Sequence, residues 1–394
     1  MKIAGIIAEY NPFHNGHAYQ INKCRELTGC DDIVAIMSGD YTQRGEPAIV
    51  NKYLRAEMAL LNGVDIVIEL PSIFSMASAE YFAFSSVYLL NATNSVDLLC
   101  FGSEETDIEK LSAAADVLLN ESDDFKHIIS TKLKSGMSFA TARHEAANEV
   151  YVGTLPLRDP NSILGVEYIK ALKKLESSIV PFAVQRTGAG HDSSNFSGCF
   201  ASASAIRNSA KIGHFYEIER VMPSNSLDLL KSASRLTDID DFSPLLHYVL
   251  FSRTDQKLAE IFDMSEGLHN RIISAAKSIY LISDIVKQVK TKRYTYTKIQ
   301  RVIMNIILNV TKPFFNEHSG KPPYIRVLGF NKDKEYLLRE IVKNSSIPVV
   351  TNIKNPCELL KFDLKASELF NAMSKSPFSE YSRNILKYSK NPYA

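Results

Sequence analysis

The chain has no long apolar run. No segment approaches the ~20 consecutive apolar residues that a membrane-spanning helix needs, so no membrane-spanning helix is expected. The N-terminal apolar stretch is too short for a secretory signal and soon meets Glu9. Cysteine is scarce: Cys24, Cys30, Cys100, Cys199 and Cys357 make an odd count with no C-x-x-C pair. A disulfide framework and a structural zinc site are both disfavoured, and a reducing compartment fits. Cytoplasmic localisation is therefore expected. Net charge is only +1, so no whole-chain attraction to nucleic acid is advertised, although a local basic patch remains open. Internal repeats and low-complexity tracts are also missing.

The composition that remains is that of a globular protein, with 45% hydrophobic and 23% charged residues. A length of 394 residues exceeds one ordinary core and suggests two or three domains. Residues 3–8, 33–37, 64–70 and 96–101 are short apolar runs of buried-strand type. Between them, residues 16–27, 52–62 and 77–91 carry helical patterns. Strands alternating with helices predict a parallel, doubly wound α/β sheet, whose ligands bind beyond the carboxyl ends of the strands. The unusual polar residues fall at those ends: 9–17, 38–44 and 102–104. Residues 108–150 and 161–175 read as helices and 179–184 as a further strand. Residues 186–204, rich in Gly, Ser, Ala and Asn, read as a mobile loop containing an ordinary, exposed His191. From about 225 to 312 the pattern is mostly helical, and residues 324–351 suggest a small strand–helix–strand unit.

The most informative segment is Glu9-Tyr10-Asn11-Pro12-Phe13-His14-Asn15-Gly16-His17, between a buried strand and a helix. Pro12 fixes a turn. Gly16 removes a Cβ where a phosphate chain would approach, and the helix N-terminus offers unpaired N–H groups to an anion. His14 and His17, three apart on the first turn, can both face that anion. They could donate hydrogen bonds to charge that builds on phosphoryl oxygens during attack on a nucleotide α-phosphate.

Strand, NPFHNGH and helix together resemble the HxGH superfamily of nucleotidyltransferases, related in fold to class I aminoacyl-tRNA synthetases. More narrowly, the chain resembles the bacterial tRNA(Met) cytidine acetate ligase family. The segments that carry the likeness are IIAEYNPFHNGHAYQI, MSGDYTQRGEPAIVNKYLRAEMAL, DIVIELP, FGSEE, NSILGVEYIKAL, ASASAIR and KTKRYTYTKIQR, which span positions 3 to 301. The resemblance implies a Rossmann-like nucleotidyltransferase domain over residues 1–215. It implies a mostly helical tRNA-binding region over 216–394, with the small α/β unit near 322–352. It also implies a reaction: ATP activates acetate as acetyladenylate, and the acetyl group passes to N4 of the wobble cytidine of elongator tRNA(Met). ATP, with Mg2+, is then the cofactor, acetate and the tRNA are the partners, and no obligatory protein partner is evident. A small-molecule adenylyltransferase and a non-catalytic RNA-binding protein with a nucleotide pocket are the competing readings.

On this basis the expected catalytic residues are His14, His17 and Asp40. The expected nucleotide-binding residues are Ile7, Ala8, Glu9, Tyr10, Asn11, Pro12, Phe13, His14, Asn15, Gly16, His17, Ala18, Tyr19 and Gln20, with Gly102, Asn161, Arg186, Thr187 and Ser204. Asp40 ends the second strand, where it could hold a metal ion, position substrate, organise Arg44 or simply cap a turn. Gly102 lets backbone approach a base or ribose, or is a plain turn glycine. Asn161 is either a helix N-cap or a nucleotide contact. Ser204 would cap a helix and close a lid on the β- and γ-phosphates. No metal ligand set is legible.

The second informative feature is basic. Lys287, Lys290, Lys292, Arg293, Lys298, Arg301 and Lys312 fall in residues 287–312, which contain no Asp or Glu, with Tyr294 and Tyr296 interleaved. Cations neutralise phosphates, and tyrosines stack on splayed bases. Lys290, Lys292, Arg293, Tyr294, Lys298 and Arg301, with Arg44, are the expected tRNA contacts. Ile299, Ile303, Ile306 and Ile307 recur at helical spacing, so part of this stretch is core.

Overall fold

The computed structural model describes residues 1–137, 139–151, 155–186, 198–376 and 379–389. Its centre is one sheet built from β1 (Ile3–Ala8), β2 (Asp32–Ser38), β3 (Ile66–Leu70), β4 (Leu98–Ser103), β5 (Val180–Gln185), β6 (Ile325–Asn331), β7 (Val349–Val350) and β8 (Leu386–Tyr388). The order is β5-β4-β1-β2-β3-β6-β7, with β8 also on β6. Strands β1 to β5 are parallel, as the alternating pattern predicts.

Both faces of the sheet are covered, and side-chain alternation sorts the core accordingly. Ile3, Ile7, Val34, Ile36, Ile66 and Ile68 face one cluster, which takes in the helices Ala79–Ala92, Ile108–Leu119 and Pro160–Lys174. Ala4, Ile6, Ile33, Ala35, Met37 and Val67 face the other, which takes in Asn15–Thr28, Lys52–Leu61 and Ser224–Ser232. The chain lays down β1, β2 and β3 in one direction, then crosses to β4 on the opposite side of β1. That reversal opens a crevice at the carboxyl ends of β1 and β4, and residues 9–17 and 102–104 stand there.

A third core lies in the helical region. Phe242, Leu246, Ile272, Ile285, Ile299 and Ile303 bury one another and enclose Tyr41 from the first hundred residues. The unit near 322–352 forms, but it extends the first sheet: β6 pairs antiparallel with β3. The helix Glu358–Met373 and strand β8 follow it. Among the described residues no helix is long and apolar enough to cross a membrane.

The edge that β6 seals carries buried charge. Lys52, fully enclosed, contacts Glu69 at 2.7 Å, Glu380 at 2.7 Å and Asp40 at 3.9 Å. Arg326 of β6 reaches Glu69 at 2.9 Å and Glu380 at 2.6 Å. Burial and Arg326 oppose the charge on Lys52, but the carboxylates outweigh them and hold its pKa up. Arg55, one turn further along the same helix, donates to the carbonyls of Glu9, Ser38, Gly39 and Val50. It thereby clamps the ends of β1 and β2 together beneath the crevice.

Candidate active site

His14 is the N-cap of the helix Asn15–Thr28. Its Nδ1 accepts the backbone N–H of Gly16 at 3.0 Å, while Nδ1 of His17 accepts the backbone N–H of His14 at 3.2 Å. This is a capping box made from two imidazoles instead of a hydroxyl and a carboxylate. The rings stack with centroids 3.8 Å apart. A backbone N–H can only donate, so each Nδ1 must present its lone pair. The proton of each neutral ring is therefore on Nε2, and neither Nε2 has a partner among the described residues. The local hydrogen bonding makes a pair of Nε2–H donors at a helix N-terminus.

The rings are held neutral. Burial, then the guanidinium groups of Arg186 and Arg207, lowers the His14 pKa to about 3. Burial, His14 and Arg186 push His17 well below the usual imidazole range. Two stacked imidazolium ions would repel, and positive neighbours exclude them.

Gly16 has a reason that the sequence did not show. A Cβ there would lie 2.9 Å from Cε1 of the His14 ring. The glycine makes room for the histidine that caps its own helix. Within the expected nucleotide segment, Ile7, Tyr10, Asn11, Pro12 and Phe13 are buried supports. Tyr10 adopts a left-handed φ of 47° and packs its ring on Phe13 and on the edge of His17. Asn11 Oδ1 accepts the Ile49 N–H at 2.8 Å. Ala8, Glu9 and the side chains from His14 to Gln20 (Asn15, Gly16, His17, Ala18 and Tyr19 between them) are half-buried. Glu9 accepts the N–H of Gln43 at 2.8 Å, and burial raises its pKa. Asn15 donates to the carbonyls of Cys199 and Arg220, tying the motif to the far wall.

One wall of the crevice comes from β4 and the helix Pro160–Lys174. Asn161 is not the N-cap; Asp159 holds that position, with Pro160 in the first turn. The Asn161 amide instead donates to Glu104 at 2.6 Å, and its carbonyl accepts from Arg186 at 3.4 Å. Glu104 also takes the N–H and hydroxyl of Ser162. The stem of Arg186 and the Gln20 amide lie beside Gly102 at ordinary contact distance. Gly102, Asn161 and Arg186 are thus brought together, with Glu104 as the acid that fixes them. Thr187 and His191 lie outside the described residues.

The opposite wall comes from the helix Ala203–Lys211. Ser202, not Ser204, caps it by accepting from Ala205 N–H, and the two hydroxyls lie 3.0 Å apart. Arg207, unassigned from sequence, donates to the Asn11 carbonyl at 2.9 Å and pairs with Glu46 at 2.9 Å. Its position in ASASAIR, inside a predicted lid helix, was the available signal.

Asp40 does not open on the crevice. Only 2% exposed, it accepts the N–H of Lys52 at 2.8 Å and belongs to the buried Lys52 cluster. Asn51 is the N-cap of the helix Lys52–Leu61, and Asp40 adds an acceptor for its first N–H; the signal for the buried lysine was Glu69, an acid inside the apolar strand IVIEL.

The basic stretch divides. Lys290, Lys292 and Arg293 are exposed and form no ion pair among the described residues. Tyr294 is not a stacking platform: it is buried and its hydroxyl donates to the Glu266 carbonyl at 2.9 Å. Lys298 and Arg301 meet Asp263 at 3.1 and 3.7 Å. A run without acids in sequence is therefore not without acids in space. Arg44 is half-buried in a loop whose Gly45, at φ 76°, lies directly against the backbone of Gln300 and Arg301.

Comparison with known proteins places this arrangement. The family described as HIGH Nucleotidyl Transferase matches residues 1–384. The tRNA(Met) cytidine acetate ligase of Caldanaerobacter subterraneus subsp. tengcongensis is 43% identical over 90% of this chain and 89% of its own length. That of Clostridium kluyveri is 41% identical over 95% and 96%. The apo crystal structure of TmcAL from Thermotoga maritima superposes with a TM-score of 0.93 at 32% identity, covering 99% of this chain and all of that one. The same protein bound with alpha-thio ATP gives 0.89 over the same coverage. The chain belongs to the tRNA(Met) cytidine acetate ligases, ATP-dependent ligases of the HIGH nucleotidyltransferase family.

Proposed function

We propose that this chain activates acetate with ATP and transfers the acetyl group to N4 of the wobble cytidine of elongator tRNA(Met). The observation that carries the reading is the histidine pair, whose Nδ1 atoms are consumed by the backbone and whose Nε2–H groups remain as neutral donors at the β1/β4 crevice. The names of the relatives and the nucleotide analogue bound to the Thermotoga maritima protein support the substrates.

In the first step an acetate oxygen attacks the α-phosphorus of ATP. The bond from that phosphorus to the bridging oxygen breaks, and pyrophosphate leaves with the electron pair. Charge gathers on the phosphoryl oxygens, where preorganised donors stabilise the transition state more than the ground state. His14 and His17 supply two such donors, with Arg186 and Arg207 as fixed cations nearby. In the second step N4 of cytidine attacks the acetyl carbonyl, the bond to the AMP oxygen breaks, AMP leaves and N4 loses a proton. Neutral imidazoles suit this site because they donate without repelling the two arginines.

Among the described residues no group of three or more His, Cys, Asp or Glu could hold a metal ion. An accompanying Mg2+ would be carried mainly by phosphate oxygens and water, and no step here runs through it. Lys290, Lys292 and Arg293 are assigned to the tRNA, and Asp40 to holding the Lys52 helix rather than to chemistry.

The test is exchange of labelled pyrophosphate into ATP, together with incorporation of labelled acetate into elongator tRNA(Met). Acetate-dependent exchange and tRNA-dependent incorporation are expected. Exchange indifferent to acetate would point to another adenylyl acceptor, and no exchange with or without tRNA would end the reading.

A further inference from the structure

The helices Leu268–Ala276 and Ile282–Val289 pack against each other and leave a groove of 460 Å³ between them. Asn270 and Ser274, one turn apart on the first helix, and Ser278 in the turn that follows it line one side. Arg271 stands beside them and Gln288 faces them from the second helix. All five are exposed. The lining is polar and without a carboxylate: a guanidinium, two amides and two hydroxyls, of which Ser278 donates to the Ala275 carbonyl at 3.4 Å. Nearby acids are already committed, since Asp284 holds Lys287 at 2.8 Å and Asp263 holds Lys298. Glu266 is exposed, with its carbonyl taken by Tyr294. Arg271 forms no ion pair among the described residues.

The groove is also continuous with the rest of the basic surface. Gln288 and Val289 end its second wall, and Lys290, Lys292 and Arg293 follow directly. Those residues lead into the helix Tyr296–Leu308, whose Gln300 and Arg301 backbone abuts Gly45. Glu46, the next residue, holds Arg207, which holds the Asn11 carbonyl beside His14. The chain thus links the groove, through Lys290, Lys292 and Arg293 and the Gly45 contact, to the Arg207 wall of the crevice, with Asp263 and Glu46 as intervening acids.

We propose that this groove, centred on Arg271, Ser274 and Ser278, is a docking site for the sugar–phosphate backbone of an RNA stem, away from the base that reacts. The chemistry favours backbone over bases. Small hydroxyls and amides suit phosphate oxygens and 2′-hydroxyls, the one guanidinium suits a phosphate fork, and no aromatic ring lines the groove for stacking. The groove thus reads shape and charge, and the crevice reads the cytidine. This inference rests on the tRNA reading proposed above.

The experiment uses the full chain with Arg271→Glu and, separately, Ser274→Asp, both at exposed positions. Binding of transcribed elongator tRNA(Met) is measured across a salt series, and acetate-dependent pyrophosphate exchange without tRNA is measured alongside. Loss of one phosphate contact should flatten the log–log salt dependence by roughly 0.7 to 0.9 and raise Kd about tenfold at low salt. Exchange should match the parent, and Arg271→Lys should recover most of the affinity. An unchanged salt slope and Kd in both variants would overturn the groove while leaving the ligase reading intact. A parent that neither exchanges nor acetylates would fail the ligase reading instead. A parent dimer in sedimentation that Arg271→Glu dissolves, with tRNA affinity unchanged, would overturn the proposal in favour of a contact between copies.

Discussion

Replacing His14 with asparagine separates two roles that alanine would confuse. His14 caps a helix through Nδ1 and offers Nε2–H to the crevice. Asparagine is among the best N-caps, so His14→Asn keeps an acceptor for the Gly16 N–H but has no group where Nε2 was. His14→Ala loses both, and the cap alone is worth about 1 kcal/mol. Removing one preorganised donor to developing charge costs about 100- to 1,000-fold in rate, or roughly 2.7–4 kcal/mol of transition-state stabilisation. The expected pattern is a near-parental melting temperature for His14→Asn, a lower one for His14→Ala, and a similar collapse of acetate-dependent pyrophosphate exchange in both. ATP affinity, measured calorimetrically, should change far less than rate. The protonation state adds a second readout. The His14 pKa is depressed from 6.5 to about 3, so the unfolded chain binds a proton that the folded chain refuses. Folding stability from this ring is complete above the unfolded value and is lost as pH falls from about 6.5 towards 3. The exchange rate should show no His14 titration between about pH 6 and 8. Exchange within about threefold of the parent for His14→Asn would refute the donor role and leave His14 as a cap only.

Lys52→Met removes the cation shared by Glu69, Glu380 and Asp40 and strands buried carboxylates; about 3–5 kcal/mol of stability should be lost, read by urea unfolding, and a loss under about 1 kcal/mol would contradict the geometry. Gly45→Ala forces a Cβ onto a residue at φ 76°, only 2.3 Å from the Arg301 backbone nitrogen; strain of about 1–3 kcal/mol is expected, and an unchanged melting temperature would show that the loop is free to move away.

What was legible in the sequence was local. The runs IAGIIA, DIVAIMS and IVIEL announce strands because both faces of the sheet are covered, and Gly29 announces the end of its helix by its left-handed φ of 64°. The strand ends that carry the site were legible too, as polar residues 9–17 and 102–104 after apolar runs, but the reversal of strand order that opens the crevice between β1 and β4 appears only in the structure. Caps were read one or two residues off. Ser202 and Ser204 are both able to cap, and only the path of the chain selects the first; Asp159 precedes a proline that fits the first turn better than Asn161 does as a cap. The burial of Tyr294 and the pairing of Arg301 escape the sequence for a different reason. A charge run shows its own composition but not what folds against it, and Asp263 arrives from another turn.

The Lys52 cluster marks where sequence reasoning stops and what the structure adds. Ser367 and Glu380 lie some three hundred residues from Lys52, so no local pattern relates them. Yet their position explains the sheet. The antiparallel strand β6 joins the parallel strands at the edge that β3 supplies. Glu69 of β3 and Arg326 of β6 are register partners, and their ion pair at 2.9 Å lies across that joint. Lys52 joins the same carboxylate from the helix that carries Arg55, and Arg55 clamps the carbonyl of Glu9. The residue after Glu9 is Tyr10, whose left-handed turn delivers His14. The path from the last eighty residues to the histidine pair therefore runs through buried ion pairs to the Lys52–Leu61 helix and from Arg55 to the backbone of Glu9, and the carboxyl-terminal part of the chain supports the floor of the crevice as well as closing the sheet.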